Sequence, residues 1–256
     1  MREPSAELLA GELVLHGRVM PASNATFVGE VCGTTVVYKP VAGERPLWDF
    51  PDGTLAQREE AAHVVSEALE WDIVPLTFRR DGPYGPGMVQ LWQEPDPVHE
   101  AVTLVRDTDV PEGYLHVFEG LDDRDQVVSL VHEDTPELRR MAVFDVIVNN
   151  ADRKGGHVLA MTGGHRYGVD HGLTFHVENK LRTVLWGWAG GLLTEADRAD
   201  LAQLADRLDD DLGEQLLGLI TPREVEATRR RVHRLLRVGT LPEPGQGWRA
   251  IPWPPF

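Results

Sequence analysis

Short apolar runs separated by turn residues fill the first part of the chain, and later apolar residues recur at helical spacing. Leu13-Val14-Leu15, Thr26-Phe27-Val28 and Thr35-Val36-Val37-Tyr38-Lys39 alternate with turns at His16-Gly17, Pro21 to Asn24 and Cys32-Gly33, which predicts a small antiparallel meander. Thr54 to Gln57 has a capping-box pattern, and Ala61, Val64, Val65, Ala68 and Leu69 form the apolar stripe of the helix it opens. Met88 to Trp92 reads as a buried strand, ended by Glu94-Pro95-Asp96-Pro97. That break divides the chain into residues 1–95 and 96–256.

Residues 98–133 are acidic and carry no clear period. Thr135-Pro136-Glu137 supplies an N-cap, a proline at the first helical position and an acid in the first turn. The helix it starts, with Leu138, Met141, Ala142, Asp145, Val146 and Val148, delivers Asn149-Asn150-Ala151-Asp152. Strand-like runs at 157–161 and 166–170 flank Thr162-Gly163-Gly164-His165, a hairpin signal. A two-residue Gly163-Gly164 loop would set His157 opposite Asp170, with the connection from Asp152 entering at the same end. A one-residue slip in that pairing would separate the two side chains. Two further helices begin at Thr194 and Thr221; the second carries Arg229, Arg230, Arg231, Arg234 and Arg237, expected to form internal ion pairs. Residues 241–256, rich in Pro, Gly and Trp, are expected to pack back on the body.

Composition narrows the function classes. The 256 residues include 25 Lys+Arg against 41 Asp+Glu, a net charge of −16 that argues against nucleic acid and anionic membrane surfaces as partners. No apolar run approaches the ~20 residues of a membrane span, so no membrane insertion is expected. Cys32 is the single cysteine, which forbids an internal disulfide and points to a cytoplasmic setting; its place in a strand-like run predicts a buried thiol.

Candidate chemistry then concentrates in four places. The turn Ser23-Asn24-Ala25-Thr26 is either an ordinary hairpin turn or a cradle whose backbone N–H groups hold a phosphate. Lys39, kept extended by Pro40, is either a solvated edge residue or a cation reaching into a cleft. Glu59, beside the apolar stripe of its helix, faces solvent or the sheet. Asp152, His157 and Asp170 converge near Gly-rich backbone, as a divalent metal and a phosphate require.

Taken in order these segments resemble the phosphatidylinositol 3/4-kinase superfamily, and its type II phosphatidylinositol 4-kinases most closely. Ser-Asn-Ala-Thr-Phe-Val with Val37-Tyr38-Lys39-Pro40 is similar to the phosphate loop and Phe-Lys-Pro strand, and Arg58-Glu59-Glu60-Ala61-Ala62 to the Arg-Glu-x-x-Ala helix start. Asp145 to Arg153 is similar to the catalytic stretch, Val169 to Phe175 to the metal loop, and the likeness reaches Trp186-Gly-Trp188. The resemblance implies an α+β, two-lobed protein-kinase-like fold: an antiparallel-sheet lobe in residues 1–95 and a mainly helical lobe in 96–256. It implies an ATP- and Mg²⁺- or Mn²⁺-dependent phosphotransferase acting on a protein or soluble small molecule. Lys39 would contact phosphates and pair with Glu59, Asp152 would orient or deprotonate the acceptor, and Asp170 would hold metal. Gln90, Leu91 and Trp92 would face the adenine.

Three departures qualify that picture. His157 stands where the pattern has a metal-binding asparagine; imidazole suits Mn²⁺ better than Mg²⁺. His171 replaces a small polar or aromatic residue, and the cysteine cluster that anchors type II lipid kinases is absent. A pseudokinase that binds nucleotide or only keeps the fold, nucleotidyl transfer, and phosphoester hydrolysis at the Asp152/His157/Asp170 site are the alternatives.

Overall fold

The meander expected between residues 13 and 40 is present in a computed structural model that describes residues 3–20, 24–51, 54–106, 109–122, 124–245 and 249–256. β1 (Leu13–Arg18), β2 (Phe27–Val31) and β3 (Thr34–Pro40) pair antiparallel in sequence. β4 (Thr77–Gly82) and β5 (Gly85–Leu91) complete a five-stranded sheet ordered β1-β2-β3-β5-β4. Val31, Val36, Tyr38, Phe78 and Val89 are buried together in its core. The β2–β3 connection is a two-residue turn in which Cys32 and Gly33 have φ of 49° and 80°. That backbone suits a primed hairpin turn. It places Cys32 at the tip, so the thiol is exposed rather than buried as the sequence suggested.

α2 (Leu55–Ala68) follows a short α1 (Ala6–Ala10) and carries the expected stripe, with Ala61 and Val65 fully buried. Its cap differs from the expected one. Thr54 lies in helical backbone and makes no side-chain cap; the Glu44 carboxylate accepts from the N–H groups of Leu55 (3.1 Å) and Ala56 (3.0 Å) instead. A carboxylate at a helix N-terminus satisfies orphan donors and the helix dipole at once. Nothing local in the sequence signals a cap ten residues upstream.

The unpatterned stretch 98–133 folds into a second antiparallel sheet of β6 (Val102–Arg106), β7 (Tyr114–Leu121) and β8 (Val127–Glu133), with β8 in the middle. Only β8 has a continuous buried run, and the two edge strands are mostly half-buried without a clean alternation, which explains the missing signal. α3 (Pro136–Val148) starts at the Thr135 cap and ends at Asn149 with φ 53°. α4 (Glu195–Leu208), α5 (Asp211–Leu217) and α6 (Pro222–Val238) follow, α4 and α6 each opened by a capping box. One core cluster joins α2 to all of these helices, through residues such as Ala61, Val65, Leu138, Ile147, Leu201 and Leu235. α2 is therefore packed against the helical part even though it precedes β4.

The hairpin β9 (Val158–Ala160) and β10 (Arg166–Gly168) is present with a changed register. Ala160 faces Arg166 and Val158 faces Gly168, so the pairing slips by one residue from the predicted register. Met161 N–H donates to His165 O, and the loop comprises Thr162, Gly163 and Gly164, the two glycines at φ 92° and 95°. Glycine adopts the positive φ of such loop positions without steric cost, and the Gly-Gly pair supplies it twice.

Candidate active site

Despite that slip, His157 Nε2 and Asp170 Oδ2 lie 3.4 Å apart. Regular pairing ends just before them. Val169 N–H donates to His157 O, which makes those two the facing pair, and Asp170 then leaves the strand at φ 60°. A left-handed residue reverses side-chain direction, so the carboxylate swings back toward the imidazole. Asp is among the few non-glycine residues that tolerate this backbone.

Asp170 also meets Lys39 Nζ at 2.8 Å, and the same ammonium is 2.7 Å from Glu59 Oε1. The other Glu59 oxygen accepts from His171 N–H at 2.8 Å. Glu59 on α2 therefore fastens the β3 lysine to the backbone directly after Asp170. Gly172 is packed here too: a Cβ there would press on Leu55 of the same helix. Burial alone would push the Lys39 ammonium down, but Asp170 and Glu59 outweigh it and hold the pKa above its ordinary value. Lys39 in turn holds Asp170 well below the usual carboxylate range, while burial raises Glu59.

The loop that carries Asp152 is held by a buried pair, Arg153 and Asp145, both inside the stretch that resembles the catalytic motif but given no role there. Arg153 and Asp145 are both fully buried and 2.9 Å apart. Asp145 also accepts from Asn150 (3.0 Å) and Thr183 (3.1 Å). Arg153 donates to the carbonyls of His157 and Val169, both at 3.2 Å, so one guanidinium ties the two sides of the hairpin to α3. It also donates to His171 Nε2 at 2.6 Å, which leaves the proton on Nδ1 and keeps the buried ring neutral, in line with a pKa pushed well down by burial. The available signal was Asp145 itself: a carboxylate on the apolar face of a helix must be buried with a partner.

Asp152 is partly exposed, and its Oδ2 lies 3.7 Å from Lys154 Nζ. Burial raises its pKa; Asp170 adds to that, and Lys154 and Arg182 oppose it. Its backbone carbonyl is 2.9 Å from His157 Nδ1. A carbonyl only accepts, so that ring nitrogen is assigned the proton, and Nε2 turns a lone pair toward Asp170. Burial, helped by Arg153, Lys39 and Lys154 and opposed by Asp170, keeps the ring pKa low. Two acceptors facing each other is a donor arrangement for a cation, and an N/O pair suits Mn²⁺ better than Mg²⁺. Among the described residues no group of three or more His, Cys, Asp or Glu side chains is placed to hold a metal. Asp152, His157 and Asp170 thus share one end of the hairpin without forming a three-ligand cage.

The remaining expected ligand contacts fare unevenly. Ser23 lies outside the described residues. Ala25 N–H is not free to cradle phosphate, because it donates to Gly43 O at 3.1 Å. Asn24 Oδ1 accepts from Arg45 N–H (2.9 Å), which ties it to the segment after β3, and the Thr26 hydroxyl reaches Asn24 O (3.4 Å). The Gln90 side chain is buried and donates to Thr77 Oγ1 at 2.8 Å across the β4–β5 ladder, so its amide is engaged within the sheet. Leu91 ends β5, and Trp92 is 41% exposed, its indole N–H on Glu94 at 3.0 Å.

A sheet that presents a lysine, a helix that presents its glutamate partner, and a hairpin loop that presents an aspartate to both define a kinase-like fold. Comparison agrees: the chain matches the crystal structure of a Helicobacter pylori proinflammatory kinase, CtkA, with a TM-score of 0.50 over 93% of this chain and 95% of that one. At 11% sequence identity that likeness is one of fold. The chain belongs to the family of Protein Rv2133c of Mycobacterium tuberculosis, to which it is 51% identical over 267 aligned residues covering 98% of this chain and 95% of that protein. No family model matches it.

Proposed function

We propose that the protein is an ATP- and divalent-metal-dependent phosphotransferase of the phosphatidylinositol 3/4-kinase-like type, acting on a protein or a soluble small molecule. The observation that supports this most is the single ammonium of Lys39 held between Glu59 and Asp170, on elements far apart in sequence. Phosphoryl transfer asks for fixed positive charge around the transferring group and a carboxylate near the acceptor. Lys39 supplies a positive charge that burial has not neutralised, and Glu59 keeps it pointed at the hairpin. Asp170 and His157 would hold the metal, whose role when bound is to neutralise charge on the phosphates. Asp152, with its raised pKa, is suited to orient the acceptor hydroxyl and take its proton. Lys154 beside it would offset negative charge on the same side.

Thermal unfolding with ATP, with and without Mg²⁺ or Mn²⁺, tests the binding half; label transfer from γ- against α-labelled ATP tests the chemistry. Metal-dependent stabilisation by ATP and transfer of the γ label are expected. No stabilisation and no turnover with either metal would overturn the reading. His157 in place of the usual metal-binding asparagine, with no group of three His, Cys, Asp or Glu side chains among the described residues placed to hold a metal, favours a second reading, a nucleotide-binding pseudokinase; stabilisation without transfer of any label would identify it.

A further inference from the structure

α6 carries six arginines and two glutamates in 17 residues, on a chain whose net charge is −16. Two of those arginines are used by the fold. Arg229 donates to Leu208 O and pairs with Asp209 at 3.0 Å, and Arg231 donates to Ile147 O (2.8 Å), His176 O (3.2 Å) and Thr228 (2.8 Å). Arg230, Arg234 and Arg237 are not used in this way. They follow at i, i+4 and i+7, so they share one face of the helix. Arg230 has only a long contact to Glu226 (3.7 Å), and among the described residues no carboxylate lies within 4.0 Å of Arg234 or Arg237. Like charges at this spacing destabilise a helix, so an opposite charge is wanted on that face.

That face opens on a cavity of about 1090 Å³ between α6, the segment 177–181 and residues 240–245. Its other walls are mostly apolar: Val146, Leu181, Trp186 and Leu241 line it beside Asn179 and Thr240, and Glu243 is the carboxylate among its lining residues. The volume is slightly above the roughly 300–1,000 Å³ usual for small-molecule sites, and such sites combine apolar walls with a few convergent polar groups. The segment 177–181 is also fastened to the active-site loop. Asn149, which precedes Asn150-Ala151-Asp152, donates to His176 O (2.9 Å) and Glu178 O (2.6 Å) and accepts from Lys180 N–H (2.9 Å).

We propose that this cavity binds an anionic amphiphile, its phosphate or comparable anionic group held by Arg230, Arg234 and Arg237 and its apolar body lying against Trp186, Leu181 and Val146. The cavity is enclosed by chain on several sides, which fits a small molecule better than an extended acidic peptide. The acidity of the rest of the surface opposes approach to an anionic bilayer, so the ligand is taken from solution. The inference stands apart from the phosphotransferase reading, since it uses none of Lys39, Asp152 or Asp170.

Calorimetric titration with dodecyl phosphate below its micellar concentration tests it, alongside inorganic phosphate, dodecyl maltoside and a polyglutamate peptide. Saturable one-to-one binding of dodecyl phosphate is expected, tighter than any of the other three. It should weaken at least about tenfold in Arg234→Glu/Arg237→Glu, because that variant removes two charge-assisted hydrogen bonds to the anionic group. Both residues are exposed, and an unchanged circular dichroism spectrum would show that the variant folds. Sedimentation with phosphatidylglycerol vesicles separates the two sources of the same chemistry. No association beside monomer binding assigns a free ligand, and association that the double variant loses assigns a lipid headgroup. Equal binding by wild type and variant, equal binding of the phosphate-free amphiphile or of inorganic phosphate, or binding of polyglutamate alone would overturn the proposal.

Discussion

Lys39 is a cation between two carboxylates, and each carboxylate has a second task. Glu59 accepts from the backbone after Asp170, and Asp170 faces His157. Under the proposed function, Lys39→Met removes the charge near the phosphates and is expected to lower the rate about 10²-fold or more, a loss seen for other preorganised charge-stabilising groups. A steady-state assay with a saturating ATP series checks this; an unchanged rate and affinity would remove Lys39 from the site. Asp170→Asn is expected to abolish the metal-dependent part of ATP stabilisation while leaving the weaker metal-free part, read as the difference between two melting curves. His157→Asn exchanges a nitrogen donor for an amide oxygen, so the preferred ion should move from Mn²⁺ toward Mg²⁺. A rate ratio for the two metals that stays at its wild-type value would exclude His157 from the coordination shell.

At the scale of elements, α2 has two residues competing as its cap, and the structure chooses between them. Glu44→Ala leaves the N–H groups of Leu55 and Ala56 without their partner and is expected to cost about 1 kcal/mol. Thr54→Ala removes only a hydroxyl bonded to Pro51 O (2.7 Å) and touched by Arg58 (3.4 Å), so its cost should be smaller. Urea unfolding midpoints for the two variants order them; the reverse order would restore the local capping box. The hairpin shows how an element can differ from its expected register and still deliver its residues. The pairing slipped by one, and the left-handed turn at Asp170 recovered the contact that the slip should have cost.

Across the whole molecule, the second sheet, the hairpin and the helical core are joined by buried ion pairs as well as by apolar packing. Glu133 at the end of β8 meets Arg166 on β10 (2.5 Å) and His99 (2.8 Å), with Glu133 and Arg166 both buried. Burial pushes the Glu133 carboxyl up, but Arg166, His99 and Thr135 outweigh it and hold the pKa below 4.5, its ordinary value. A depressed carboxylate contributes stability that is complete above its unfolded-state pKa and is lost as pH falls through the folded one. Glu133→Gln should therefore destabilise the protein by about 3–5 kcal/mol at neutral pH, since it strands a buried guanidinium. The loss should shrink as pH drops below about 4.5. Denaturation at pH 7 and pH 3.5 reads both values, and an equal loss at the two pH values would show that the pair does not couple the sheet to the hairpin. Among the described residues no helix is long and apolar enough to cross a membrane.

What could be read from the chain was whatever local chemistry settles. Period-2 runs marked β1 to β3, and Thr135, Thr194 and Thr221 marked the helices they open, because caps and stripes act within a few residues. Lys39, Asp152, His157 and Asp170 stood out in the same way, as charged residues at turns and strand ends, whereas the pairing of Lys39 with Glu59 on α2 came from the family resemblance. Long-range contacts were not visible. That Glu44 caps α2, that Arg153 is buried against Asp145, and that Ala25 and Gln90 spend donors within the fold all depend on which segments meet. Tertiary packing decided these points, because a buried donor or charge must be satisfied by whatever partner the fold brings near, however distant in sequence.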